Sequence, residues 1–351
     1  RYRAHGFDEI ETPVMEEYAR LHAGIGGDNE KLAFNVLKRG LNAEAIVAAA
    51  EDPAALTDLG LRYDLTVPLA RFYATNRGQL PTIFRAVQIA PVWRAERPQK
   101  GRYRQFMQCD IDIIGDASTR AEVELITATL DTLDALGLEG GSVRINDRRL
   151  LDAMLEHFGF PVEERPSVLI TIDKLDKIGP DGVRTELLER SGARAAVEAF
   201  AEFLSREPEE ASGFGVEAIR AALPAGLDGE AVAALGEIGA AVAAARGAGV
   251  ALTFDPFLVR GMGYYTGTIF EVAHPSVPYS LGGGGRYDGM IGRFLGQEAP
   301  AVGFSIGFER IVDLVADQVD QATPAIVLVH DRDVPVAELA ALKAAFIRRG
   351  Q

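Results

Sequence analysis

Residues 82–115 read TIFRAVQIAPVWRAERPQKGRYRQFMQCDIDIIG, and most of the architecture follows from how this stretch is read. Its first part, Ile83-Phe84-Arg85-Ala86-Val87-Gln88-Ile89, mixes apolar and polar residues. In its last part Phe106, Gln108, Asp110 and Asp112 fall on alternate positions, and Met107, Cys109, Ile111 and Ile113 fall on the others. That period of two is the signature of a strand with two different faces. Between them lies a charged loop containing Pro98 and Gly101. The pattern predicts two antiparallel strands, over 82–94 and 104–115, joined by a long loop.

On the N-terminal side, segment 3–20 reads as the end of a helix, a turn at His5-Gly6, and an extended stretch from Phe7 to Thr12 that Pro13 ends or places at an edge. Residues 43–50 form a short helix or an ordered connector. On the C-terminal side, 119–138 reads as an amphipathic helix capped by Ser118 or Thr119, with Glu122 in its first turn. From 143 to about 247 the composition turns Ala/Glu-rich and helical, with helices expected at 148–159, 173–178, 181–206, 214–222 and 229–247. No pattern there suggests chemistry.

Strand signals return at Leu252-Thr253-Phe254, at 267–272 and at Tyr279-Ser280-Leu281. A strand over 301–307 should lead into a helix over 307–319. A β run at 325–329 followed by a helix at 334–349 reads as the first unit of an α/β domain cut short. The chain opens at Arg1 without Met, which suggests a truncated N-terminus as well.

The chain has 351 residues, 48% hydrophobic and 25% charged, the composition of a folded globular protein. No apolar run is long enough to span a bilayer, and no basic-then-apolar leader opens the chain. One cysteine, Cys109, excludes an internal disulfide and a cysteine-based zinc cluster, fits a reducing cytoplasm, and reads as a small buried hydrophobe. A formal net charge of −15 argues against nucleic-acid binding by the whole surface, though not by a local basic site.

Five constellations could carry chemistry. The loop 94–104 holds five cations, Arg94, Arg97, Lys100, Arg102 and Arg104, against one carboxylate, Glu96. Guanidinium forks grip phosphate, so the loop is an anion site or else a solvated hairpin tip. Asp64 and Thr66 stand two apart. If extended, they share a side and could receive an ammonium group; otherwise one of them caps a helix. In Leu258-Val259-Arg260-Gly261-Met262-Gly263-Tyr264-Tyr265-Thr266-Gly267, an arginine sits among glycines beside two tyrosines, either at a ligand or in a turn before an aromatic strand. Gly282-Gly283-Gly284-Gly285 offers bare backbone to a flat ligand, or is a linker, and the surrounding residues form neither a phosphate loop nor a dinucleotide fingerprint. Gly303-Phe304-Ser305-Ile306-Gly307-Phe308-Glu309-Arg310 is a glycine-punctuated strand running into a helix.

Taken together, these segments resemble the class II aminoacyl-tRNA synthetases, and among them the histidyl-tRNA synthetases, over about residues 1 to 320. R-A-E-R-P-Q-K-G-R-Y-R-Q-F resembles motif 2, G-F-S-I-G-F-E-R motif 3, and G-F-D-E-I-E-T-P motif 1, the dimer-interface segment. L-V-R-G-M-G-Y-Y-T-G and G-G-G-G-R-Y-D-G resemble the two histidine-specific signatures. The chain departs from the common pattern at Gly263, where many members carry an acidic residue, at Asp64 in place of Glu, and at Met107 in place of His or an aromatic residue.

The resemblance implies an α+β fold: a class II synthetase-like antiparallel sheet flanked by helices, with a helical insertion and a truncated C-terminal α/β domain. Its parts would be a catalytic domain over 1–145 and 248–320, a mostly helical insertion with connecting helices over 146–247, and the start of an anticodon-binding domain over 321–351. It implies activation of L-histidine by ATP, with Mg²⁺ accompanying the nucleotide and no metal held by dedicated protein ligands. Transfer to tRNA(His) would follow, in a cytoplasmic homodimer.

By the same resemblance Arg94, Arg260 and Arg310 act on the phosphates. Arg94, Glu96, Arg102, Phe106, Gly307 and Arg310 bind ATP. Asp64, Thr66, Gln108, Asp112, Tyr264 and Tyr265 bind histidine, and Gln99, Lys100, Arg102 and Arg104 meet the tRNA. A site that hydrogen-bonds both ring nitrogens discriminates by roughly 10⁴ to 10⁵, so no editing domain is expected. With the anticodon domain cut short, the chain should form adenylate and charge tRNA poorly. A paralogue that kept the fold and lost the reaction, such as the regulatory subunit of ATP phosphoribosyltransferase, is the alternative, but it should lack the motif 2 loop and several of the arginines that stand here.

Overall fold

A computed structural model describes residues 1–19, 21, 32–98, 103–138, 140–206, 214–227, 229–247, 252–261, 263–277, 279–316 and 326–349. Two compact units are present, Arg1–Ile311 and Val312–Gln351.

The first unit is organised around an eight-stranded sheet. In chain order its strands are β1 (Asp8–Glu9), β5 (Phe84–Trp93), β6 (Gln105–Ile114), β7 (Ser142–Asp147), β8 (Leu252–Phe254), β9 (Thr268–Ala273), β10 (Gly282–Arg286) and β11 (Ala301–Gly307). Across the sheet the order is β1-β5-β6-β11-β10-β9-β7-β8. All neighbours run antiparallel except β1 beside β5 and β7 beside β8 at the two edges. The central hairpin β5–β6 is the one expected from residues 82–115. A second sheet joins β2 (Met15–Glu17), β4 (Thr57–Leu61) and β3 (Asn35–Leu37) in the order β2-β4-β3.

Helices α1 (Ala43–Ala48), α2 (Thr66–Asn76) and α3 (Arg120–Ala135) precede β7. Between β7 and β8 come α4 (Arg148–His157), α5 (Arg165–Ile172), α6 (Leu175–Arg190), α7 (Arg194–Leu204), α8 (Val216–Ala222) and α9 (Glu230–Arg246). Helix α6 is interrupted at Gly179, whose φ of 68° lies in the left-handed region just before Pro180. Phe158, Phe160, Phe200, Phe203 and Phe257 pack edge to face or tilted at 5.4–6.2 Å between centroids. They belong to a core, built largely from α4–α7, that also takes in Leu258, Val259 and Ile269 of the returning chain. Helix α10 (Asp288–Leu295) packs on α2, and α11 (Phe308–Val315) follows β11 directly. In the second unit α12 (Val336–Arg348) is the described helix after residue 326. No described helix is long and apolar enough to cross a membrane.

Several expectations are corrected. Residues 142–147 are not the start of the helical region but a strand paired on both sides, because Val143, Ile145 and Asn146 are buried in the sheet. The expected helix 181–206 is two helices, parted at Ser191-Gly192-Ala193, and α5 was not foreseen. Thr119 stands at the N-cap of α3 without a side-chain cap, since its hydroxyl donates to Glu237 (2.9 Å). Tyr279-Ser280-Leu281 is not a strand; the tetraglycine that follows is. Residues 326–329 carry no strand, and no described neighbour pairs with them.

Candidate active site

Alternation along β6 separates two environments. Ile111 and Ile113 are wholly buried. Cys109, on their side, is half-buried, and burial together with Asp110 pushes its thiol up to about 12, far from a nucleophile's range. Gln108, Asp110 and Asp112 face the other way and line a cavity of about 710 Å³. Directly opposed residues of neighbouring strands share a face. One row across the sheet therefore runs Gln88, Asp110, Ser305, Gly283, Glu271, Arg144, and the next runs Ala86, Asp112, Gly303, Gly285, Ile269, Asn146.

Much of the cavity wall is built of carboxylates and hydroxyls. Asp64 is 2% exposed, and its Oδ1 accepts from the Val67 backbone N–H (3.1 Å) at the start of α2. It thus caps the start of the helix, as one reading of the Asp64–Thr66 pair expected, and lines the cavity at once. Asp112 Oδ1 accepts from the Tyr287 hydroxyl at 2.6 Å. Burial pushes the Asp112 carboxyl up to about 7, Tyr287 pulls it down, and the charge of Asp64 raises it. Burial also raises Asp64, and raises Asp110 well above the usual range with help from Asp112. Tyr264 and Tyr265 meet edge to face at 4.9 Å, and Tyr264 lies 6.0 Å from Tyr287.

Arginines line the same cavity. The Arg94 guanidinium lies over the Tyr63 ring (4.3 Å) and the Phe106 ring (4.9 Å), with Nε donating to the Tyr63 carbonyl at 3.2 Å. Arg310, on α11, donates to the Ser280 carbonyl at 2.5 Å and lies over the Tyr279 ring. Arg260 pairs with Glu271 Oε2 at 2.9 Å, and Arg144 approaches the other Glu271 oxygen at 3.5 Å. All four arginines line the cavity.

The glycine run explains how Arg260 fits. A Cβ on Gly283 would lie 2.6 Å from Arg260 Cζ, so the guanidinium lies flat where a side chain would be. A Cβ on Gly284 would overlap the Gly303 carbonyl, and one on Gly285 would lie 2.9 Å from the Tyr265 ring. At Gly303 a Cβ would collide with the Asp112 carboxylate. Arg260, Tyr265 and the neighbouring strand thus approach this bare backbone closely, and Gly282, Gly283 and Gly284 also line the cavity.

A family model for histidyl-tRNA synthetase matches residues 1–311. The chain belongs to the histidyl-tRNA synthetase family. Among its relatives, the histidine–tRNA ligase of Leifsonia xyli subsp. xyli is 60% identical over 360 residues, covering 100% of this chain and 82% of the relative. The probable histidine–tRNA ligase of Tropheryma whipplei is 45% identical, covering 99% of this chain and 82% of the relative. A crystal structure of histidyl-tRNA synthetase from Nostoc sp. PCC 7120 is similar at a TM-score of 0.74 and 25% identity, covering 99% of this chain and 78% of that one. A Bacillus halodurans structure, named as an ATP phosphoribosyltransferase regulatory subunit/histidyl-tRNA synthetase, is similar at 0.73 and 23% identity, covering 98% of this chain and 83% of that one, and shares the fold. Fold alone therefore does not separate synthetase from regulatory subunit; the ligase relatives at 45–60% identity do.

In this member of the histidyl-tRNA synthetase family, Asp64, Thr66, Arg94, Glu96, Phe106, Gln108, Asp112, Arg260, Tyr264, Tyr265, Gly307 and Arg310 come together around one cavity. Arg104 does not line it; its Nε contacts the Glu96 carbonyl at 3.4 Å, and its backbone carbonyl accepts from the Arg94 N–H. Gln99, Lys100, Arg102 and Met262 lie outside the described residues. Sequence reading missed Asp110, Ser305, Glu271, Arg144 and Tyr287. Asp110 shares the alternating face of Gln108 and Asp112, a signal that was present but not used. Arg144 was hidden because no strand was foreseen at 142–147, where the helical region was expected to begin.

Proposed function

We infer that the chain joins L-histidine to tRNA(His) in two steps, with ATP as the energy source. A carboxylate oxygen of histidine attacks the α-phosphorus, the new P–O bond forms, and pyrophosphate leaves. The observation that carries this reading is a single cavity lined by four guanidinium groups, those of Arg94, Arg144, Arg260 and Arg310, together with buried carboxylates and paired tyrosines. Such a reaction depends on position and charge neutralisation more than on a protein nucleophile.

Arg94 holds the α-phosphate, Arg310 the γ-phosphate side, and Arg260 the carboxylate as it approaches phosphorus. Phe106 and Glu96 take the adenine, with Gly307 and Arg102 also at the nucleotide. Asp64, Thr66 and Gln108 hold the amino-acid end, and Asp112, Tyr264 and Tyr265 the imidazole. Mg²⁺ enters with ATP. Glu271 pairs with Arg260 and Arg144, and Glu309 accepts from the Met107 N–H (2.6 Å), so these two carboxylates are held by the fold beside the groups that meet phosphate charge. Gln99, Lys100, Arg102 and Arg104 meet the tRNA acceptor end, where phosphate contacts set affinity. The protein works as a cytoplasmic homodimer through the segment Gly6–Pro13. Residues 146–247 are an insertion between catalytic parts 1–145 and 248–320, and 321–351 begin the anticodon domain.

The test is histidine-dependent exchange of pyrophosphate into ATP. The parent should exchange with histidine alone among amino acids. Arg94→Ala and Arg260→Ala should each lose roughly 10²-fold or more, as for removal of a donor to transition-state charge. A folded parent that exchanges with no amino acid would overturn the reading.

A further inference from the structure

Three buried acceptor atoms on the cavity wall have no hydrogen-bond partner among the described residues: Asp64 Oδ2, Gln108 Oε1 and Asp110 Oδ1. Their residues are 2%, 8% and 3% exposed. Buried acceptors left unmet are costly, so three on one wall point to a ligand that donates to all of them. An ammonium group carries three N–H donors and no acceptor.

Local contacts hold Asp110 and Gln108 in this attitude. Ser305 stands opposite Asp110 across β6–β11; its hydroxyl hydrogen-bonds the Asp110 carboxylate and accepts from Gln108 Nε2 at 2.9 Å. That contact turns the amide so that Oε1 is left toward the cavity. On the other flank Gln88 is engaged, accepting from Thr12 (3.1 Å) and donating to the Leu65 carbonyl (3.2 Å), so it does not satisfy Asp110. Asp110 also lies in the field of both Asp64 and Arg94, whereas Asp112 is committed to Tyr287 one pleat further on.

We propose that Asp110 is a ligand of the substrate's α-ammonium group, completing with Asp64 and Gln108 a seat of three acceptors. This rests on the histidine-activating reading and adds to it a residue that specifies the charged amine. Burial and the neighbouring carboxyls disfavour the ionised forms of Asp64 and Asp110, and an incoming cation favours them, so the seat is selective for an amine that arrives charged.

The experiment is equilibrium binding, by calorimetry, of L-histidine, histamine and imidazole-4-propionate to the parent and to Asp110→Asn, with thermal unfolding of both proteins without ligand. Histamine keeps the ammonium and lacks the carboxylate; imidazole-4-propionate lacks the ammonium. Asp110→Asn should weaken histidine and histamine by about tenfold to a hundredfold, the loss of one charge-assisted hydrogen bond. It should leave imidazole-4-propionate within about twofold, as for groups that do not interact. Without ligand the variant should unfold at the parent's temperature or above it, since Asn keeps the shape of the side chain and removes the cost of ionising a buried carboxyl. Equal weakening of histamine and imidazole-4-propionate, no weakening of either, or a lower unfolding temperature would each overturn the assignment of Asp110. If the parent binds none of the three compounds, the histidine-activating reading itself falls, which is a separate result.

Discussion

Asp112 shows how much one side chain owes to its surroundings. An exposed aspartate is ionised well below neutrality. Here burial lifts the carboxyl to about 7 even though Tyr287 donates to it. A carboxyl whose folded-state pKa lies above its unfolded value contributes stability at low pH, and that contribution is lost as pH rises from about 4 through 7. Asp112→Asn should therefore gain stability relative to the parent over that window, read as urea midpoints at pH 5 and pH 8. The ionised form is the better acceptor for an imidazole N–H. Histidine KM should fall as pH rises through 7 in the parent, and Asp112→Asn should flatten that fall and raise KM about tenfold or more at pH 8. A variant with the parent's pH profile would remove Asp112 from the imidazole. Arg286 is a contrasting case. The histidine signature contains it, yet it is spent inside the fold on both oxygens of Glu122, each at 2.7 Å. Arg286→Ala should cost about 3–5 kcal/mol by stranding a buried carboxylate, measured by denaturant unfolding.

At the scale of elements, β10 is a strand made almost wholly of residues with poor strand propensity. Its glycines were legible as a place where backbone is approached closely, but the thing approaching was not. Two neighbouring positions separate the reasons. Gly284→Ala would drive a Cβ into the Gly303 carbonyl of β11, a rigid partner, and should yield little soluble protein. Gly283→Ala meets the end of a flexible arginine 2.6 Å away, which can swing aside. That variant should fold with near-parental unfolding temperature and lose pyrophosphate exchange to about the level of Arg260→Ala. Near-parental exchange in folded Gly283→Ala would show that the flat placement of Arg260 is not needed. Strand β7 was not foreseen, because Arg148 onward is helical and the six residues before it are too few to show a period. Pairing with β8 and β9 overrides that local signal.

For the whole molecule, the helical segment between β7 and β8 is joined to the chemistry through its core. Leu258 and Val259, immediately before Arg260, are buried in the same cluster as Val197, Phe200 and Leu204 of α7. Phe200 is fully buried against Phe158, Phe160 and Phe257. Phe200→Ala should cost about 3–5 kcal/mol. It should also lower exchange at temperatures where the variant is still folded, because the loop carrying Arg260 loses its backing. Parental exchange in a folded Phe200→Ala would separate the insertion from the site.

What residues 82–115 carried was local: a period of two needs no partner to be seen, so the central hairpin and its two faces were readable from the chain alone. The arginines, the glycine run and the Asp64–Thr66 pair were likewise visible as residue types whose chemistry is rare in such density. What the chain order could not hold was register. Asp110, Ser305, Gly283, Glu271 and Arg144 run from position 110 to position 305 yet lie in one row, and that row exists only once strands distant in sequence have paired. Which acceptors remain unmet, which carboxyls are lifted by burial, and which glycines admit an arginine are properties of that pairing. They depend on the distances and water exclusion that packing creates.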